Sequence, residues 1–284
     1  MGEKVQLERV GTDGDMEKAA RLYQELDGKV DAFGVGGAVL GLLLEKHWYP
    51  MHSINPMVRY IRQTPVVDGT GLKITLERQC ASVVRETLAG AVHNKHALIM
   101  SGLDRYGQAR SFLDNCYECV MGDLMFTLGI PIPIRTDRNL KLLGKLLIPT
   151  ISRLPFEMLY PTGEAQESRN PKFNKTFKWA SVIAGDCHFI TRYMPDRLDG
   201  KIIITNTTTP EDKEIFRNAG VKYLITTTPV YEGRSFGTNL LEAGLVAVTG
   251  RRQPVDYSQA DDYFAEMENL VQELGMKPVV QELF

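Results

Sequence analysis

His96-Ala-Leu-Ile-Met-Ser101, Gly102-Leu-Asp-Arg-Tyr-Gly107 and Tyr117-Glu-Cys-Val-Met-Gly-Asp123 are the stretches on which the reading of the fold turns. The apolar run 96–101 predicts a buried strand. Two glycines then bracket a turn, residues 108–113 carry a helical pattern, and 117–123 reads as the next strand. Strand, glycine turn, helix and strand in that order form the unit that binds the ADP half of a dinucleotide. Glycines let a pyrophosphate approach the backbone at a helix N-terminus, where free N–H groups and the helix dipole favour an anion. An acidic residue about 20 positions on accepts from the adenosine ribose, and Asp123 falls 21 residues after Gly102. The middle glycine of GxGxxG is missing between Gly102 and Gly107. Arg105 adds a cation for phosphate.

Outward from this unit, short β-rich runs alternate with helical patterns, as in a largely parallel α/β sheet. Strands are expected at 181–186, 201–205 and 222–226, with a helix at 210–218. Upstream, 5–10, 30–37 and 65–68 read as strands, and 15–26 and 74–88 as helices. The expected fold is α/β: a Rossmann-type parallel-sheet domain with an N-terminal α/β substrate domain. Residues 1–92 form the substrate domain and 93–250 the dinucleotide domain, with an insert at 124–178. Residues 251–284 form a helical segment that packs back on the first domain.

The chain has 284 residues, 43% of them hydrophobic, enough for a sizeable core. Its net charge of −2 gives no broad basic footprint for nucleic acid or an anionic membrane. The apolar run Ala38 to Leu44 is far shorter than the roughly 20 residues that span a bilayer. The first residues are charged where a signal peptide is apolar, so a cytoplasmic location is expected. The expected partner is a small molecule, with a homo-oligomer as an option. Four cysteines make no disulfide framework, and Cys116 and Cys119 lack a second CxxC. The five histidines share no ligand spacing, so no metal is expected.

In a doubly wound sheet the residues just after each strand face the ligand. Those are Asp186, Asn206, Thr207, Thr226 and Thr227, the candidates for ribose or nicotinamide contacts; Thr209 reads as a cap of the helix at Pro210. In the first half, Asp68-Gly-Thr-Gly-Leu-Lys73 presents a carboxylate and an amine. Lys73 is the candidate acid–base group and Asp68 its orienting partner. Asp13, in a glycine turn, Tyr160 and Glu164, in the insert, and Arg234 and Asn239, before an apolar helix, are the candidate substrate contacts.

Gly11-Thr-Asp-Gly-Asp15, Asp68-Gly-Thr-Gly-Leu-Lys73, Leu154-Pro-Phe156 with Tyr160-Pro-Thr-Gly-Glu164, and Glu232-Gly-Arg-Ser-Phe-Gly-Thr-Asn239 together resemble bacterial proteins labelled quinate 5-dehydrogenase. These are related by name to the shikimate and quinate dehydrogenases. The resemblance implies an N-terminal substrate domain, a C-terminal NAD(P) domain and an active site between them. The Asn-Val-Thr-x-Pro-x-Lys, Asn-Thr-Asp and Gly-Ala-Gly-Gly motifs of shikimate dehydrogenases are absent; Lys73 and Asp68 supply the same functional groups in another context.

The leading expectation is an NAD(P)-dependent oxidoreductase acting on a small hydroxylated or carboxylated substrate. NAD is expected over NADP, because Asp123 would repel a 2′-phosphate. The alternatives are a nucleotide- or metabolite-binding protein without turnover, acting as a sensor or assembly partner, and a transferase using S-adenosylmethionine.

Overall fold

The computed structural model describes residues 4–155, 169–231 and 234–284. The N-terminal part carries helix α1 (Met16–Leu26), strand β1 (Phe33–Gly34), the hairpin of β2 (Gly41–Leu44) and β3 (His47–Pro50), one turn of helix α2 (Asn55–Val58) and strand β4 (Val66–Val67). Asp15 caps α1 by accepting from the Lys18 amide, the role its residue type favours at a helix start. β1 and β4 pair in parallel, Phe33 opposite Val66. The strand expected at 5–10 does not form. Val5 and Leu7 alternate with polar residues, but they and Val10 stay exposed, since alternation makes a strand only where a neighbour supplies the pairing. The single helix expected over 74–88 is instead α3 (Thr70–Ile74), a 3-10 turn at Glu77–Gln79 and α4 (Cys80–Leu88).

The rest is built on one six-stranded sheet. Its strands are β5 (His96–Ile99), β6 (Glu118–Met121), β7 (Val182–Ala184), β8 (Ile202–Thr205), β9 (Tyr223–Thr226) and, after the small hairpin of β10 (Val230–Tyr231) and β11 (Arg234–Ser235), β12 (Val279–Glu282). The spatial order is β12-β9-β8-β7-β5-β6, with β12 antiparallel to β9 and all other neighbours parallel. The helices are α5 (Tyr106–Asp114), α6 (Asp137–Ile151), α7 (Asn174–Trp179), α8 (Cys187–Tyr193), α9 (Pro210–Asn218), α10 (Thr238–Thr249) and α11 (Asp261–Glu273).

Continuous apolar strands are what a sheet covered on both faces requires. Ala97, Ile99, Ala184, Ile202 and Ile204 pack with Val84, Ala109, Phe112 and Leu140 of α4, α5 and α6. Leu98, Ile183 and Ile203 point the other way, toward Phe177, Ile190 and Phe216 of α7, α8 and α9. Each fully buried isoleucine contributes roughly 1.5–3 kcal/mol relative to exposure. A third core joins α10 and α11 to the N-terminal part, with Val67, Leu72 and Leu76 packed on Ala243, Val246 and Met267. Trp48 of β3 stacks on Tyr257 at 4.5 Å.

β6 lies on one side of β5, and β7, β8 and β9 on the other, so the parallel strands run 2-1-3-4-5 in chain order. Dinucleotide domains made of two mononucleotide-binding halves run 3-2-1-4-5-6. In either order the crevice opens beyond the carboxyl ends of the strands where the chain reverses direction, here between β5 and β7. Among the described residues no helix is long and apolar enough to cross a membrane.

Candidate functional site

Lys73 reaches the edge of this crevice from the N-terminal part. The loop ahead of it turns at Gly69, whose φ of +94° disfavours any side chain; a Cβ there would also stand 2.6 Å from Thr238 Oγ1. Asp68 holds the loop from inside, accepting from the Leu40 amide at 2.6 Å and the Thr70 amide at 2.9 Å. Its two oxygens are thus engaged by backbone, and the expected pairing of Lys73 with Asp68 is corrected. Lys73 Nζ instead donates to Asp104 Oδ1 at 2.7 Å. Asp104 follows β5, directly after the Gly102 turn.

Arg105, next in the chain, is 4% exposed and is surrounded by three carboxylates. It donates to Glu77, and its Nε and Nη2 lie 3.5 Å from Asp104 and from Asp186, respectively. One guanidinium therefore ties the segment after α3 to the ends of β5 and β7. Burial alone would raise the Asp104 carboxyl, but the Lys73 ammonium and the Arg105 guanidinium hold it below the usual carboxylate range. Burial pushes the Glu77 carboxyl up. Burial would lower Arg105, yet Glu77, Asp104 and Asp186 raise it instead. Arg105 was expected at a phosphate; its charge is matched inside the protein.

The glycine turn does not fit a pyrophosphate. The Gly102 and Leu103 amides, which would cradle the anion, donate to Asp123 Oδ2 at 2.9 Å and Oδ1 at 2.8 Å. Asp123 is buried and turned inward under the turn, where burial raises its pKa. It is not free to accept from a ribose. Gly107 has a packing role: a Cβ would stand 2.1 Å from the Lys73 carbonyl oxygen, so α5 crosses α3 at van der Waals contact. The N-terminus of α5, where a phosphate would sit, is covered by the segment that carries Lys73.

The other expected contacts divide. Asp186 lies at the crevice and caps α8 by accepting from the His188 amide at 3.0 Å. Thr207 Oγ1 lies 3.5 Å from the Phe236 carbonyl, and the Asn206 carbonyl accepts from Thr228 and Ser235 hydroxyls at 3.0 Å each. Thr226 and Thr227 are fully buried, and their hydroxyls make no hydrogen bond among the described residues. The loops after β8 and β9 are thus fastened to each other and to β11. Asn239 packs in the first turn of α10, its carbonyl oxygen 2.8 Å from where a Gly34 Cβ would be. Asp13 is exposed in its turn, with φ of +52°, and takes no part in the hydrogen bonds around Lys73. Tyr160 and Glu164 lie outside the described residues, and Arg234 is described only by its backbone in β11. Among the described residues no cluster of His, Cys, Asp or Glu could hold a metal ion.

Four participants were not singled out from the sequence. Asp104 had a signal, as the residue that follows a strand and its glycine. Glu77 had one too, four positions after Lys73. Glu242 stands alone as an acid in the apolar helix α10, where it accepts from the Leu72 amide at 3.0 Å and the Tyr263 hydroxyl at 2.6 Å. Burial, with Asp68 adding to it, pushes its carboxyl up to about 7. Tyr263, the fourth, had no local signal.

Beside Lys73 and Asp104 is a small cleft lined also by Leu42, Leu43, Thr70 and Tyr106. A buried ammonium hydrogen-bonded to an ionised carboxylate at the mouth of a crevice can give a proton to a substrate oxygen and take it back.

No curated protein and no solved structure matches the chain. A family model described as Domain of unknown function (DUF8753) matches residues 1–68. The next match begins just past the Gly69 turn, at residue 71, and runs to residue 283, three-quarters of the chain: the protein belongs to the family described as Domain of unknown function (DUF8754).

Proposed function

We propose that this chain is an enzyme that performs acid–base chemistry on a small hydroxylated or carboxylated metabolite, with Lys73 as the proton-transferring group and Asp104 as its partner. The observation that carries this reading is the 2.7 Å contact between Lys73 and Asp104 at the crevice between β5 and β7. Lys73 in its ammonium form donates to a substrate oxygen on which negative charge develops; the neutral amine removes the proton in the reverse direction. Asp104 orients the amine by accepting its hydrogen bond at 2.7 Å. An oxidoreductase would add hydride transfer to a nicotinamide. The Gly102 turn, whose amides donate to Asp123, does not fit that dinucleotide.

A second reading, binding without turnover, is favoured by one observation: Lys73, Asp104, Arg105, Glu77 and Asp186 form a continuous charge network, as a purely structural cluster also would. The two readings separate in one experiment. Wild type and Lys73→Met are incubated with a panel of polyols and hydroxy acids in D2O, with and without NAD or NADP, and followed by NMR. Turnover or deuterium exchange that falls by about 10²-fold or more in Lys73→Met supports catalysis. Ligand-induced thermal stabilisation with no conversion in the wild type supports the binding protein.

A further inference from the structure

The cleft beside Lys73 is closed. Its volume is about 10 Å³, room for one water, whereas sites for small molecules run to roughly 300–1,000 Å³. The Lys73 side chain is 9% exposed. A metabolite reaches the ammonium only when one wall of the cleft moves. Three segments supply the walls: α3, the start of α5 with Asp104 just ahead of it, and strand β2 with Gly41, Leu42 and Leu43.

Two of these walls are locked to each other. Gly107 of α5 leaves no room for a Cβ beside the Lys73 carbonyl, Glu77 just after α3 pairs with Arg105 inside the protein, and Leu72 and Leu76 sit in the core shared with α10 and α11. The third wall is held differently. β2 and β3 pair only with each other, in a two-stranded sheet, and such a ribbon is marginal by itself in water. Leu44 is the one large side chain of residues 41–50 that is buried. Trp48 stacks on Tyr257, and at the tip Glu45 pairs with Lys141 of α6 and Lys46 with Asp261 of α11. Exposed ion pairs of this kind contribute little. The base is the firm part: the Met51 amide donates to the Leu40 carbonyl at 2.9 Å, and the Leu40 amide to Asp68 at 2.6 Å. Leu40 and Met51 therefore form a fixed hinge, fastened by Asp68 to the loop that carries Lys73.

We infer that the β2–β3 hairpin is a flap over Lys73, which swings about Leu40 and Met51 and uncovers the ammonium by lifting Leu42 and Leu43 out of the cleft. As a device serving a site, it rests on the reading of Lys73 and Asp104 given above. Local opening of such a unit costs less than unfolding the sheet. Two measurements on the full chain, neither of which needs a substrate, follow the opening. Hydrogen–deuterium exchange compares residues 41–50 with β7 and β8. Labelling by trinitrobenzenesulfonate, read by mass spectrometry, compares Lys73 with the exposed Lys145. Both are repeated on Trp48→Leu, which removes the stack on Tyr257, and on Glu45→Gln, a surface change that removes the charge of one tip pair.

In the wild type the hairpin amides should be protected about tenfold or more weakly than those of β7 and β8. Trp48→Leu should speed hairpin exchange and Lys73 labelling by the same factor, about fivefold or more, with Lys145 labelling and the β7 and β8 amides unchanged. Glu45→Gln should do the same by about twofold, and it decides the matter if Trp48→Leu also loosens the sheet. Hairpin amides as protected as the sheet overturn the flap. So does Lys73 labelling that stays constant while hairpin exchange rises, since another wall would then guard the amine. An opening flap without conversion of the metabolite panel by the wild type would sink the catalytic reading and leave this one standing. Conversion that depends on Lys73, with a hairpin as protected as the sheet, would do the opposite.

Discussion

The Lys73 ammonium is bonded to Asp104 across the junction between the N-terminal part and the large sheet, 2.7 Å from Oδ1, while Asp68, five residues before it in the chain, faces two backbone amides. The ion pair is therefore assembled from two segments, and each half is testable alone. Asp104→Asn keeps an oxygen for Lys73 to bond but loses the charge. Turnover of any substrate found in the panel should fall roughly tenfold or more in this variant. Unchanged turnover would remove Asp104 from the proton transfer.

Stability should show the same pair with a defined sign. The Asp104 carboxyl is held below its ordinary range in the folded state, so its contribution is present above the unfolded pKa near 4 and is lost as pH falls through the folded value. Urea midpoints of wild type and Asp104→Asn should differ at pH 7 and converge toward pH 3. A difference that grows on acidification would contradict the ionised pair.

Glu242 carries the opposite sign. Its folded pKa, about 7, lies above the ordinary 4.5, so the stability it confers is complete below pH 4.5 and is lost as pH rises through 7. The loss amounts to about 3 kcal/mol, from the gap between 4.5 and about 7. Glu242→Gln retains an acceptor for the Leu72 amide and cannot ionise. Its unfolding free energy should be flat over pH 5–8 where that of the wild type falls. Parallel pH dependence in the two proteins would show that Glu242 does not titrate in this window.

Gly107→Ala examines the contact between α5 and α3. An alanine inside a helix ordinarily stabilises by roughly 0.5–1 kcal/mol over glycine. Here the added carbon would stand 2.1 Å from the Lys73 carbonyl oxygen, which neither helix backbone can easily yield. Overpacking of this kind costs about 1–3 kcal/mol. Gly90, with open space around it, is the control and should tolerate alanine. Equal melting temperatures for the two variants would disprove the close crossing.

Asp123→Ala separates a structural role from a ribose-binding one. Without the carboxylate, the Gly102 and Leu103 amides lose their acceptor, at a cost of about 1–3 kcal/mol for each that stays buried and unpaired. The expected result is a lower urea midpoint, with no change in relative affinity for NADH and NADPH. A change in that preference at unaltered stability would return Asp123 to a dinucleotide site.

The local patterns of the sequence determined the elements whose stability is local or purely apolar. The buried runs that become β5, β7, β8 and β9, the helix at Pro210–Asn218 with Thr209 as its cap, and Asp15 at the start of α1 were all legible, because burial and capping leave signatures within a few residues. Lys73, Arg105 and Asp186 were also legible as charged residues near the ends of such elements. What they bond to was not. Asp104, not Asp68, faces Lys73; Asp123 turns inward; Gly107 receives a carbonyl and not a phosphate; and the strand order is 2-1-3-4-5. Each of these depends on how the segment 68–77 docks across the carboxyl edge of the sheet. Contacts between residues 21 to 31 positions apart, as in Lys73 with Asp104 or Gly102 with Asp123, follow no periodicity, so only the packed tertiary structure decides which carboxylate meets which cation or amide.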